Sequence, residues 1–211
     1  MKHDILIFDL DGTLSDPKEG IVRSFNHALA HFGLPELPEE EITRYIGPPL
    51  DKTFIALTGN DDPQFIADLV ARYRERYADI GYAENRLYDG VKDTLLALHN
   101  QKIRMGICTS KPAHFAEQIL TLFGLDGLFE FINGGDVGIE KWQQLQDLRQ
   151  RLMISPHSLM IGDRAVDLTA AHQNGLLSAG VLWGYGSREE LETEHPTYLF
   201  ETPAHWLHLI Q

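Results

Sequence analysis

Ile5-Leu6-Ile7-Phe8 is a short apolar run that passes straight into Asp9-Leu10-Asp11-Gly12-Thr13-Leu14. Four apolar residues bounded by polar ones read as a buried strand, and carboxylates left unpaired at the end of such a strand are costly. Each piece has an ordinary explanation: Asp-Gly after a strand is a common turn, and Asp9 by itself would serve as a helix cap. The composite Asp-X-Asp-Gly-Thr directly behind the strand is much rarer. It suits a site that binds a divalent cation and attacks a phosphorus centre.

The next stretch has a different texture. Asp16-Pro17-Lys18-Glu19 reads as a helix start, with Asp16 as cap, Pro17 at the first helical position and Glu19 completing a capping box. Ile21, Val22, Phe25, Ala28, Leu29 and Phe32 then recur at helical spacing until Gly33. Further helices are expected over 51–57 and 63–78. No strand-like run appears from Asp16 to about Arg86, so residues 16–86 read as a helical block.

From Tyr88 onward strands and helices alternate. Helices are expected over 91–99, after Pro112, over 140–152 and over 165–174. Strands are expected over 103–108, 129–132, 159–161 and 178–182, with a final strand-helix pair over 198–210. Alternation of this kind implies a parallel sheet covered on both faces. The expected architecture is therefore α/β: a Rossmann-like parallel-sheet core formed by residues 1–15 and 87–211, with an α-helical cap of residues 16–86 inserted after the first strand.

Ligands of open parallel sheets bind beyond the carboxyl ends of the strands, so chemistry-bearing residues should gather there. Strand 1 ends in Asp9 and Asp11, the strand 103–108 in Thr109-Ser110-Lys111, and the strand 159–161 in Gly162-Asp163-Arg164, with Asp167 one helical turn later. Aspartates converging from two strand ends form an oxygen-only site that suits Mg²⁺. Thr109 is placed to donate to a phosphoryl oxygen, and a nearby lysine would stabilise developing charge. Asp9 then reads as a nucleophile forming an aspartyl-phosphate, and Asp11 as general acid and later base.

Composition narrows the partners. A formal charge of −13 over 211 residues disfavours nucleic acid and anionic membranes, both of which need clustered cations. Cys108 is the only cysteine, which fits a reducing compartment. No apolar run approaches bilayer-spanning length, and the short apolar stretch between Asp4 and Asp9 is no signal peptide. A cytoplasmic protein acting on a small phosphorylated metabolite, as monomer or homodimer, is the expectation.

These motifs, in this order, resemble the haloacid dehalogenase superfamily of phosphatases, specifically its phosphoglycolate-phosphatase-like and 5′-nucleotidase-like branch with a helical cap. The resemblance covers nearly the whole chain. It implies that Asp9-Leu10-Asp11-Gly12-Thr13 carries the nucleophile and the acid/base, that Thr109 binds phosphate, and that Gly162-Asp163-Arg164-Ala165-Val166-Asp167 is the acidic metal motif. It further implies that Asp9, Asp163 and the backbone carbonyl of Asp11 hold Mg²⁺, with Asp167 in support. Lys141 takes the place of the family lysine, although Glu140-Lys141-Trp142 is unusual around it; Lys111 is its rival.

In the helical block, Arg44-Tyr45-Ile46-Gly47-Pro48-Pro49-Leu50 resembles the loop that this branch lays over the site, which makes Arg44 and Gly47 candidate substrate contacts beside Ser110 and Lys111. Read without the resemblance, the same residues are a helix breaker and a surface charge. Ser187 and Glu190 read as a capping box. His27 and His31 have metal-pair spacing but lie opposite the apolar face, and Gly184-X-Gly186 lacks the full nucleotide fingerprint. The leading function is phosphomonoester hydrolysis. A phosphomutase of the β-phosphoglucomutase type is the nearest alternative, and a phosphoaspartate receiver the alternative from another class.

Overall fold

The computed structural model describes residues 3–46, 49–135 and 138–210. The chain divides into two compact units, one made of Met1–Asp16 with Leu87–Gln211 and the other of Pro17–Arg86.

The first unit is built on a six-stranded parallel sheet. Its strands are β1 (Leu6–Phe8), β4 (Met105–Thr109), β5 (Ile132–Gly134), β6 (Leu159–Gly162), β7 (Leu177–Val181) and β8 (Tyr198–Phe200), in spatial order β5-β4-β1-β6-β7-β8. Two short strands, β2 (Ser15–Asp16) and β3 (Arg86–Leu87), form a separate pair. The six main strands connect through α5 (Val91–Asn100), α6 (Ala113–Phe123), α7 (Lys141–Gln150), α8 (Ala165–Gln173) and α9 (Arg188–Thr193). The fold is thus α/β and Rossmann-like.

Helices on both faces explain why β1 is apolar at every position rather than at alternate ones. Ile5 and Ile7 join Cys108, Leu145, Leu148, Met160 and Ala170 in one buried cluster. On the opposite face the Phe8 ring lies 4.9 Å from that of Trp206 and 6.4 Å from that of Phe129. Register then places the chemistry. Phe8 pairs with Ile107 of β4 and Ile161 of β6, so the residues following all three strands emerge level on one edge of the sheet. The strand order reverses about β1, and that is where a crevice opens in such sheets.

The second unit is helical: α1 (Lys18–His31), α2 (Glu39–Thr43), α3 (Leu50–Thr58) and α4 (Pro63–Asp79). Its core is aromatic. The Phe25 ring sits 4.8 Å from Phe54 and 4.7 Å from Tyr73, and Tyr73 stacks on Tyr77. Helix α1 approaches the Gly81 turn so closely that a Cβ on Gly20 would lie 2.0 Å from the Gly81 carbonyl oxygen.

Several local expectations differ from the observed elements. Helix α1 begins at Lys18 after Pro17, without a side-chain cap; the Asp16 carboxylate accepts instead from the Tyr185 hydroxyl at 2.5 Å. Ser187 does cap α9 through the Glu190 N–H, but the Glu190 side chain leaves its own helix and accepts from the Ala165 N–H at 2.8 Å and from Arg164 Nε at 2.9 Å. The strand expected over 129–132 is β5, at Ile132–Gly134, and the segment Pro203–Ile210 is a 3₁₀ rather than an α-helix. His27 and His31 are both exposed.

In the helical unit, Glu84 accepts from both Arg76 nitrogens, at 2.8 and 3.0 Å, and from Arg23 at 2.7 Å. The Arg76 hydrogen bond is the leading cause that holds the Glu84 carboxyl below its ordinary value of 4.5. A carboxylate whose pKa is depressed by folding adds stability above its unfolded pKa and loses it as pH falls through the folded one. Glu84→Gln should therefore cost about 2 kcal/mol near neutrality, with the gap to wild type closing as pH falls below 4.5. Urea titrations across that range check this; a gap independent of pH contradicts it.

Candidate active site

Just past β1 the backbone turns sharply: the Leu14 N–H donates to Leu10 O at 2.9 Å and the Gly12 N–H to Ser15 O at 2.8 Å. Gly12 sits at φ +84°, and a Cβ there would lie 2.2 Å from Asp163 Oδ2. Only glycine fits both the turn and the neighbour. Asp9 is fixed by its N–H to Ile161 O at 2.9 Å, and Thr13 Oγ1 donates to Asp163 Oδ1 at 3.4 Å. The ends of β1 and β6 are thereby joined.

Two lysines divide the acids between them. Lys141 opens α7, where Gln143 Oε1 accepts the Glu140 N–H at 2.8 Å and sets the first turn. Its ammonium lies 3.0 Å from Asp9 Oδ1 and also contacts Asp167 Oδ1. Lys111, beyond β4, pairs with Asp11 Oδ2 at 2.9 Å, and its N–H donates to Thr109 Oγ1 at 3.3 Å. Lys141 and Lys111 thus meet different carboxylates. Ser110 is exposed beside them. One turn into α7, Gln144 Nε2 donates to Thr109 O at 3.0 Å and to Asn133 Oδ1 at 2.9 Å, which ties the helix carrying Lys141 to the end of β4.

Burial sets the electrostatics. Lys141, Asp163 and Asp167 are all nearly inaccessible to solvent. Burial disfavours the Lys141 charge, but Asp167 and Asp9 outweigh it and hold the ammonium pKa above its ordinary value. Burial pushes the Asp163 and Asp167 carboxyls up; the nearby carboxylates add to this, while Lys141 opposes it. Asp11 is raised as well, because its burial exceeds the pull of Lys111.

Carboxylate oxygens of Asp9, Asp163 and Asp167 lie within 4.8 Å of one another. The Lys141 ammonium contacts two of the three, Asp9 and Asp167. Asp9 Oδ1 is buried with no hydrogen bond beyond its ion pair with Lys141. An oxygen-only set of three clustered carboxyls fits a hard divalent cation. Lys141 takes one oxygen of Asp167 and the Arg164 N–H, at 3.0 Å, the other, just as Thr13 Oγ1 and the Tyr185 N–H each take one oxygen of Asp163.

The cluster also rests on a segment that strand-end reasoning overlooked. After β7, Trp183 Nε1 donates to Thr13 O at 3.0 Å and the Tyr185 N–H to Asp163 Oδ2 at 2.8 Å. A Cβ on Gly184 would lie 2.3 Å from Asp163 Cβ, and one on Gly186 would lie 2.0 Å from Asp163 O. The rule that found Asp9, Thr109 and Asp163 also holds at the end of β7, where Gly-Tyr-Gly was the available signal.

In the helical unit Arg44 follows α2 and lines a shallow crevice of about 320 Å³ with Pro38, Glu40, Glu41 and Tyr45. Gly47 lies outside the described residues. Among the described residues, no helix is long and apolar enough to cross a membrane.

Comparison with known proteins agrees with this geometry. Residues 6–181 match the model of the haloacid dehalogenase-like hydrolase family. A 5′-nucleotidase from Pseudomonas aeruginosa is 38% identical over 202 residues, which cover 94% of this chain and 91% of that protein. A phosphoglycolate phosphatase from Mannheimia succiniciproducens is 32% identical over 216 residues, covering 96% of each. The solved structure of protein tyrosine kinase A from Mycobacterium tuberculosis superposes with a TM-score of 0.81 at 33% identity, covering 98% of each chain. The chain belongs to the haloacid dehalogenase-like hydrolases. Within that family it is an enzyme of the phosphatase class, acting on phosphate esters, and the family works with a divalent metal.

The packing around Asp163 yields a paired prediction. Gly12 and Gly127 share φ +84°, but a Cβ on Gly127 would meet nothing within 4 Å. Gly127→Ala should cost only left-handed strain, about 1–2 kcal/mol. Gly12→Ala should cost clearly more, because Asp163 must also move. Equal losses in denaturant titrations of the two variants would contradict the cradle.

Proposed function

We propose that this chain is a Mg²⁺-dependent phosphomonoesterase that hydrolyses a small phosphorylated metabolite through an aspartyl-phosphate on Asp9. The observation that carries the reading is the separation of the two acids of the Asp-X-Asp pair. Asp9 Oδ1 lies 3.0 Å from the Lys141 ammonium, whereas Asp11 is a partly exposed carboxyl, paired with Lys111, that desolvation nonetheless holds above its ordinary value. One is suited to attack and the other to carry a proton.

In this reading an Asp9 oxygen attacks phosphorus, and the bond from phosphorus to the ester oxygen breaks. The Asp11 carboxyl gives its proton to the departing oxygen. Asp11, now a carboxylate, takes a proton from the water that attacks the phosphoaspartate, which releases phosphate and restores Asp9. Thr109 Oγ1 accepts from the Lys111 N–H, and its own hydrogen would be donated to a phosphoryl oxygen. Lys141 stabilises the negative charge on the transferring group. A divalent cation, held by Asp9, Asp163 and the backbone carbonyl of Asp11 with Asp167 in support, would shield the phosphate from the incoming carboxylate.

We assign residues 1–15 and 87–211 to the catalytic core and 16–86 to a helical cap that selects the substrate, with Arg44 and Gly47 from the cap and Ser110 and Lys111 from the core as its contacts. The names of the relatives favour a 5′-nucleotide or phosphoglycolate type of substrate. The lone, buried cysteine supports a cytoplasmic setting.

A panel of phosphate esters assayed with Mg²⁺ for released phosphate tests the class and ranks the substrates. Release of stoichiometric phosphate separates hydrolysis from isomer formation and from transfer to a protein tyrosine. Asp9→Asn should abolish turnover. In a single turnover, Asp11→Asn should slow phosphorylation of the enzyme by alkyl phosphates about 10²–10⁴-fold and by p-nitrophenyl phosphate far less, because that leaving group departs without a proton. Turnover of Asp9→Asn at the wild-type rate would sink the mechanism; equal loss of the phosphorylation step on both ester types would remove Asp11 from its role as acid.

A further inference from the structure

The Trp183–Gly186 segment does more than turn the chain after β7. It makes two side-chain tethers to the stretch that follows the Asp-X-Asp motif: Trp183 Nε1 donates to Thr13 O at 3.0 Å, and the Tyr185 hydroxyl donates to Asp16 Oδ1 at 2.5 Å. Between those tethers the Tyr185 N–H reaches Asp163 Oδ2 at 2.8 Å. Gly184 and Gly186 allow the backbone to lie directly on Asp163, at separations no side chain would tolerate. A loop anchored at two points on the β1 side thus fixes a carboxylate on the β6 side.

We propose that this loop is a positioning element for the acid cluster, with Tyr185 and Trp183 as positioning residues whose side-chain hydrogen bonds to Asp16 and Thr13 set the orientation of the Asp163 carboxylate and, through it, the affinity of the site for a divalent cation. The inference rests on the reading of Asp9 and Asp163 as cation ligands. The tethers act through the peptide, so neither ring needs to reach the cation. The Trp183 ring also packs on Trp206, 5.6 Å between centroids, and phenylalanine at 183 would keep that contact while losing the donor. Groups that orient a metal ligand are typically worth about 10–100-fold in metal affinity.

The test is Mn²⁺ binding to the full chain, followed by the electron paramagnetic resonance of the free ion, with Mg²⁺ as competitor and no substrate present. Tyr185→Phe and Trp183→Phe should each weaken Mn²⁺ binding about tenfold, while circular dichroism of the metal-free proteins stays at wild type. Asp16→Ala should weaken it too, and Asp16→Asn, which keeps an acceptor oxygen for the phenol, should recover most of the loss. Adding Tyr185→Phe to Asp16→Ala should bring little further loss, because both remove one hydrogen bond. If either aromatic variant fails to fold, the other carries the test. Wild-type affinity in a folded Tyr185→Phe or Trp183→Phe overturns the inference. Wild-type affinity in Asp163→Asn overturns the cation-site reading beneath it, so the two failures are distinguishable.

Discussion

The contact on which the structure turns is the buried ammonium of Lys141 between Asp9 and Asp167. Three carboxylates gather at one edge of the sheet within 4.8 Å, a placement that burial and mutual repulsion both oppose. Lys141 is the protein's own counter-charge, and it arrives on a helix whose first turn is set by Glu140 and Gln143. Breaking a buried pair by removing one partner typically costs about 3–5 kcal/mol, because the other charge is left uncompensated. In the proposed reading a divalent cation would supply further counter-charge to the same cluster. Stability and chemistry therefore depend on the same few atoms.

Around that contact the surrounding chain is cut to fit. Gly12, Gly162, Gly184 and Gly186 each stand where a Cβ would overlap Asp163 or Asp167. The acids are packed by backbone from several sides, and the backbone is held in turn by Trp183, Tyr185 and Glu190. Close packing of this kind limits the reorganisation available to the carboxylates, the condition under which electrostatic groups act most strongly. Gln144 extends the same logic to Thr109, since it joins the helix of Lys141 to the end of β4. The helical unit has its own aromatic core and its own Glu84 ion-pair network, and it is built without any of these residues.

Much of this was legible in the chain because the signals were local. The apolar run at 5–8, the alternation after Tyr88 and the polar residues past three strands are short-range patterns, and the parallel sheet with its acids on one edge follows from them. Asp16 and Glu190 were read from equally local rules and went elsewhere. Asp16 has a partner 169 residues away in Tyr185, and Glu190 caps α8 rather than its own helix. A local cap is worth about 1 kcal/mol, and a part-buried tertiary hydrogen bond to a carboxylate about 1.5–3 kcal/mol. The division of labour between Lys111 and Lys141 was hidden for the same reason. Spacing along the chain places both near the strand ends, and only the register of β1 with β4 and β6 decides which acid each one meets.

The central claim is that Asp9 becomes covalently phosphorylated, with the neighbouring acids arranged to make and break that bond. Rapid acid quenching of the enzyme during turnover, reduction with borohydride and mass spectrometry of the peptide around residue 9 test it directly. An acyl phosphate on Asp9 is converted to homoserine at that position; this conversion is expected in wild type, with accumulation in Asp11→Asn given p-nitrophenyl phosphate, whose leaving group needs no proton. Phosphate release at the normal rate with Asp9 unmodified in both proteins would show that water attacks the ester directly, and the account would be wrong.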